Sequence, residues 1–249
     1  MILVSTNCLK GREGVFEKDF FRVLKAYEDA GIHDIECGAC HSYIKDLKLL
    51  FEFKRKYNAE LTLHSNFPPA NEEGVLLNIA SADERIRKMS HKAFAESIET
   101  CRRLDSGLFS FNAGFLCDLD KDINMLNKPW TYEDAFSRMK EMLLLLLDKA
   151  SEHDIRLAVE NHEAMGTDVI MFTKAEEYER LFREIRHPLL GALLDIGHLR
   201  LNAINRNADE TGFIEKVRDR IFEFHIHEVK EGKDHQRFSD ASVLRNLPI

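Results

Sequence analysis

Three apolar runs in the C-terminal half of the chain each end in side chains able to hold a metal ion: Leu157-Ala-Val-Glu160-Asn-His162, Leu193-Leu-Asp195-Ile-Gly-His198 and Phe222-Glu-Phe-His225-Ile-His227. Glu160, Asp195 and His225, the first ligand-type residue at the end of each run, lie 35 and 30 residues apart. That is about the length of one strand-loop-helix-loop unit in a parallel α/β protein. A period of this length, tied to strand ends, leaves few architectures open. In a closed (β/α)8 TIM barrel the C-terminal ends of all strands open into one bowl, so residues distant in sequence converge on one site.

The rest of the chain keeps the same rhythm. Short apolar or β-prone runs predict strands at Ile2 to Ser5, Asp34 to Cys37, Leu61 to His64, Leu108 to Asn112, Arg156 to Glu160, Ala192 to Asp195 and Ile221 to His225. Between them, Ser81 to Leu104 predicts a helix that opens with the capping-box pattern Ser81-Ala-Asp-Glu84 and carries Ile86, Met89, Ala93, Ile98, Cys101 and Leu104 on one face. A second helix is expected from Thr131 to about Glu152; its run Leu143 to Leu147 is apolar nearly all round, as for a helix wedged between barrel and neighbours. With 249 residues and no linker-like tract, the expectation is a single TIM-barrel domain spanning residues 1–249. After the seventh strand only Glu228 to Ile249 remain, enough for a loop and one short helix, Asp240 to Leu247. The eighth βα unit is therefore expected to be missing or truncated, which leaves two sheet edges to protect.

Composition narrows the function. The chain is 44% hydrophobic and 31% charged, as in soluble globular proteins, and Leu143 to Leu147 is far too short to span a bilayer. The N-terminus reads as a first strand and not a signal peptide, so a cytoplasmic location is expected, and five cysteines, an odd number, argue for free thiols. A net charge of −8 gives no broad attraction to phosphate backbones, so a small polar substrate is expected and nucleic acid is not.

Several fragments together resemble a known family: His64 in Leu-Thr-Leu-His-Ser-Asn, the helix start Asn78-Ile-Ala-Ser-Ala-Asp-Glu-Arg85, Glu160-Asn161, Asp195-Ile-Gly-His198, and His225-Ile-His-Glu followed by Gly-Lys-Asp234-His235. In order and spacing they resemble the xylose isomerase-like barrels, which include metal-dependent sugar isomerases and epimerases and the endonuclease IV group. The resemblance implies that Glu160, Asp195 and His225 are metal ligands. It makes His198 either a ligand of a second metal or a contact to a substrate hydroxyl, places His64 in the same bowl, and brings Asp234 or His235 in from the loop after strand seven. The fourth ligand of the sugar epimerases, a glutamate on strand eight, has no counterpart among the seven strands.

Two carboxylates and an imidazole, without cysteine, suit one divalent ion (Mn²⁺, Mg²⁺, Co²⁺ or Zn²⁺) with an open coordination position. Such an ion would grip a carbonyl and an adjacent hydroxyl and stabilise an enediolate. Glu160 is one candidate acid/base, with His198 the second residue assigned to catalysis; His64, Asn112, His227 and Arg237 are candidate substrate contacts. Each has a plainer alternative. Glu160 or Asp195 alone reads as a helix cap or loop ion pair, strand alternation would send His227 away from His225, and Asp234, His235 and Arg237 fall in a polar stretch where solvated side chains are the default. Glu36 either faces the bowl or bonds backbone. Phe67, Phe115 and Trp130 form a wall over a sugar or pack loop cores. Cys37-Gly-Ala-Cys40-His41 matches haem and redox patterns but is expected to be a loop after strand two.

The expected function is a divalent-metal-dependent isomerase or epimerase acting on a small sugar, sugar phosphate or related hydroxy-carbonyl compound; by analogy with the family, a homo-oligomer is expected. One alternative is an endonuclease IV-like phosphodiesterase acting on abasic DNA. Against it, Phe111-Asn112-Ala-Gly114 places Asn112 where that group carries a histidine ligand. A second alternative is a non-catalytic ligand-binding barrel.

Overall fold

Side chains along each inner strand alternate between the two faces of the sheet, and this period of two explains the architecture. The computed structural model describes residues 1–9, 16–42, 44, 46–69, 74–164 and 168–236. Seven parallel strands pair in sequence order: β1 (Val4–Ser5), β2 (Ile35–Cys37), β3 (Leu61–His64), β4 (Leu108–Phe111), β5 (Arg156–Glu160), β6 (Leu190–Asp195) and β7 (Ile221–His225). Helices α1 (Phe20–Asp29), α2 (Lys48–Tyr57), α3 (Glu84–Arg103), α4 (Tyr132–Ser151), α5 (Ala175–Glu184), α6 (Ile196–Arg206) and α7 (Glu210–Val217) fill the crossovers. Ile35, Cys37, Leu61, Leu63, Phe109, Phe111, Leu157, Val159, Ala192 and Leu194 join the main apolar core with helix residues. The alternate positions Leu108, Ala158 and Leu193 form a separate small cluster with Phe222. Both faces of the central strands are thus buried, as parallel sheets require.

The sheet curls until its distant strands touch. Glu36 on β2 meets His225 on β7 at 2.6 Å, and Thr62 on β3 reaches Glu223 on β7 at 3.5 Å. Among the described residues β1 and β7 are the sheet edges and do not pair with each other. The expected seven strands are therefore present. In place of the loop expected after them, Glu228–Lys230 (β8) and Lys233–Gln236 (β9) form an antiparallel hairpin. Its two-residue turn, Glu231-Gly232, has positive φ at both positions, as a type I′ turn demands. The helix expected at Asp240 to Leu247 lies outside the described residues.

Two local expectations are corrected. Helix α3 is capped by Asp83, whose carboxylate accepts from the amides of Arg85 and Ile86; Ser81 instead accepts from the Asp83 amide in the turn before it. A carboxylate cap two residues nearer the helix displaces the predicted Ser81 box. Helix α4 does start at its Thr131 cap, but only Leu143, Leu146 and Leu147 of its leucine run are buried. Leu144 and Leu145 are 44% and 48% exposed, because a single helix face meets the barrel. Among the described residues no helix is long and apolar enough to cross a membrane.

Candidate metal centre

Strands β5 and β6 deliver their last residues, Glu160 and Asp195, to the C-terminal mouth, both almost wholly buried. Asn161 locks the two ends together: its amide Oδ1 accepts from the Asp195 N–H at 2.6 Å and its Nδ2 donates to the Asp195 carbonyl at 3.0 Å. Asp195 also caps α6, its Oδ1 accepting from the His198 amide at 2.8 Å. His225 is placed opposite Asp195 by an irregularity in the β6–β7 ladder. Ala192 pairs with Ile221 but Leu193 with Glu223, so Phe222 is an extra residue on β7. Without it the ladder would slip by one position and send His225 to the other face.

Around the two carboxylates the imidazoles close in. His225 Nδ1 stands 3.5 Å from Glu160 Oε1 and 3.8 Å from Asp195 Oδ2. His198 Nδ1 is 3.7 Å from each of the same two oxygens and 2.9 Å from the Asn161 carbonyl, to which it donates. His64 Nε2 lies 3.4 Å from Glu160 Oε2, while its Nδ1 contacts Ser110 Oγ at 3.2 Å. His227 Nε2 is 3.0 Å from Asp195 Oδ2, so His227 faces the bowl with His225; the expected opposite orientation does not hold, because residues two apart share a face in strand alternation. His235 stacks on His227 with centroids 4.1 Å apart, and His162 stacks on His198 at 4.7 Å.

The fields these groups exert on one another are strong. Burial would raise the Glu160 carboxyl, but His64, His225 and His198 outweigh it and hold it at about 2; Asp195 is likewise lowered, by His198, His227 and His225 acting against burial. For His225, burial opposes protonation, yet Glu36 and Glu160 raise it well above its ordinary value. Burial lowers His64, with Glu160 and Glu36 offsetting part of the effect. One layer down, burial and then Glu36 push Glu223 up to about 7.

The donor set suits a divalent ion. At bond lengths of about 2.0–2.2 Å, adjacent ligand atoms stand roughly 3–3.5 Å apart, close to the 3.5 and 3.8 Å that separate His225 Nδ1 from Glu160 Oε1 and Asp195 Oδ2. Two groups of three residues, Glu160 with Asp195 and His198, and Glu36 with His64 and His225, each bring one ligand atom within 4.8 Å of the others. The expected trio Glu160, Asp195 and His225 straddles them. The 2.6 Å contact of Glu36 with His225 Nε2 is a hydrogen bond too short to admit an ion, so Glu36 holds the ring with Nδ1 toward the carboxylates. Glu36 thus faces the bowl. The signal for it was a lone acid inside the apolar run Ile35-Glu36-Cys37; for Asn161 it was only adjacency to Glu160.

The remaining candidates separate. Asn112 follows β4 with its Oδ1 shielded from solvent and without a hydrogen-bond partner among the described residues. Asp234 belongs to β9 by its backbone, its side chain falling outside what the structure describes, and Arg237 lies outside the described residues. Phe67 is buried in the core, Phe115 packs on the Cys117, Leu119, Val169 and Ile170 cluster, and Trp130 stacks under Arg138 at 4.9 Å. Cys37 ends β2 and Gly38 to His41 form a structural loop: Cys37 and Cys40 are free thiols and His41 is tied to Thr6 and Glu17.

With this geometry in view, the profile of the xylose isomerase-like TIM barrels matches residues 24–249. The chain belongs to that family. Within it, an uncharacterised protein of Methanocaldococcus jannaschii is 25% identical over 197 residues, covering 78% of this chain and 59% of the relative. A probable endonuclease 4 of Thermoplasma acidophilum is 25% identical over 182 residues, covering 71% and 55%. The chain therefore spans less than two thirds of the length of these relatives. Among solved structures, a D-tagatose 3-epimerase-like protein superposes with a TM-score of 0.68 at 20% identity, covering 93% of this chain and 77% of that one. Sugar epimerases recur among further structures of the xylose isomerase-like fold, a likeness of fold at these identities.

Proposed function

We propose that the chain is a divalent-metal-dependent isomerase or epimerase of a small sugar, sugar phosphate or related hydroxy-carbonyl compound, with one ion held by Glu160, Asp195 and His225. The observation that carries the reading is the convergence of two buried carboxylate oxygens on the His225 Nδ1 within 3.8 Å at the mouth of the barrel. The bound ion would supply Lewis-acid stabilisation of the oxyanion that develops beside a substrate carbonyl. Glu160, ionised at neutral pH, takes the proton from the carbon next to that carbonyl, leaving an enediolate; returned to the former carbonyl carbon the proton completes an isomerisation, whereas epimerisation takes its proton from a second acid on the opposite face. His198, its ring fixed by the Asn161 carbonyl, holds a substrate hydroxyl, and His64 lines the opposite side of Glu160. The sugar epimerases among structures of similar fold support the substrate class.

The test is exchange of a carbon-bound proton of ketose substrates into D₂O in the presence of Mn²⁺. Glu160→Gln and His225→Ala are expected to reduce it to background with the circular dichroism spectrum unchanged; exchange at the wild-type rate in either variant sinks the reading. A second reading, an abasic-site endonuclease, is favoured by the endonuclease relative. It requires cleavage of abasic DNA and about three zinc ions per chain, whereas the isomerase reading expects one ion and no cleavage.

A further inference from the structure

The chain after β7 turns back over the bowl, and the hydrogen bonds there fix one imidazole completely. The Nδ1 of His227 accepts the backbone N–H of His235 at 2.9 Å, so the proton of the neutral ring sits on Nε2 and is donated to Asp195 Oδ2 at 3.0 Å. The amide of His235 points at the ring because β9 carries an extra residue: Glu228 pairs with Gln236 and Lys230 with Lys233, three residues against four, and His235 takes a positive φ of 52°. A bulge of this kind re-aims a group out of the ladder. The stack of the His235 ring on His227, 14° from parallel, adds a second restraint.

The opposite side of the same pocket is shaped by an absent side chain. A Cβ built on Gly197 would fall 1.9 Å from His227 Cε1 and 2.4 Å from its Nδ1. Gly197, in the middle of Asp195-Ile-Gly-His198, is therefore the residue that admits the His227 ring beside Asp195. The carboxylate ends up held at both oxygens, Oδ1 by the His198 amide and Oδ2 by His227.

We propose that His227 is a positioning residue: through a proton fixed on Nε2 by the β8–β9 hairpin, it aims the Asp195 carboxylate at the ion site, in the space that Gly197 leaves open. Both ring nitrogens are committed to this task, which distinguishes it from the substrate contact expected from sequence. The inference rests on the proposed ion at Glu160, Asp195 and His225. Removing an outer hydrogen bond of this kind costs roughly ten- to a hundred-fold in metal affinity.

The test combines ¹⁵N spectra of the metal-free protein with Mn²⁺ titrations of the wild type, His227→Gln, His227→Leu and Gly197→Ala. The spectra are expected to show His227 neutral with the proton on Nε2; the Nδ1-protonated form overturns the proposal. Mn²⁺ affinity is expected to fall at least about ten-fold in His227→Leu and Gly197→Ala, and to be largely kept in His227→Gln, whose amide donates from nearly the same place. His227→Leu binding as tightly as wild type overturns the inference and leaves the metal reading standing. A wild type that binds no Mn²⁺ overturns the metal reading itself, and this inference with it. Should His227→Leu fail to fold, Gly197→Ala and the wild-type spectra decide.

Discussion

His41 is one side chain whose chemistry is settled by its neighbours. The Gly38 amide donates to Thr6 Oγ1, that hydroxyl donates to His41 Nε2, and Nδ1–H donates to the Glu17 carbonyl, so the ring is held neutral between β1 and α1. Burial lowers its pKa, Lys18 adds to the effect, and Glu17 and Asp19 offset part of it. Because the folded pKa lies below the unfolded value of about 6.5, this stabilisation is intact above that pH and is lost as pH falls toward the folded pKa. His41→Ala is expected to cost about 1–3 kcal/mol at pH 8 in urea denaturation, with the deficit relative to wild type shrinking by pH 5; an equal deficit at both would contradict the assignment. Asn161 makes a sharper case. Asn161→Leu strands the Asp195 amide in the interior and is expected to cost about 2 kcal/mol, read by the same denaturation. The convergence of Glu160, Asp195 and His225 on one site was legible because acids and imidazoles closing apolar runs have few other uses. The braces were not: an asparagine or a glycine carries no chemical mark of the neighbour it serves.

At the scale of elements, periodicity located the strands of the barrel well, with Leu61–His64, Arg156–Glu160 and Ile221–His225 matching to the residue. Apolar runs bounded by turns report burial, which is complete along β3 and nearly so along β5 but only partial along β7. The hairpin Glu228–Gln236 escaped because Lys, Asp, His and Gln offer no alternation to read; its signals were the Glu-Gly turn and its contacts to α6 and His227. The ladder irregularity at Phe222 escaped for a related reason, since an extra residue is defined by its partner strand and not by its own sequence. Capping offers a direct comparison. Asp83→Ala is expected to destabilise the protein by about 1 kcal/mol, whereas Ser81→Ala, which loses a single contact outside the helix, is expected to cost less. Thermal melts of the two variants check the order, and a larger loss for Ser81→Ala would restore the predicted capping box.

For the molecule as a whole, the curled sheet is held unevenly. Strands β5 and β6 are paired on both sides and buried, whereas β7 is paired only to β6 among the described residues and is partly exposed, with Phe224 at 37%. Hydrogen exchange is expected to be at least about ten-fold faster at the β7 amides than at those of β5 and β6; uniform protection would mean that β7 is covered in solution. The contact of Glu36 with His225, 189 residues apart, also has a consequence in time. At about 5–20 residues per second, His225 leaves the ribosome roughly 10–40 s after Glu36. Through that interval Glu36, and then Glu160 and Asp195, are already made, while the imidazole that sits between them is not. Among the described residues the last strand of the sheet to be synthesised thus brings the imidazole that joins Glu36 to Glu160 and Asp195, which makes closure of the centre a late event in the birth of the chain.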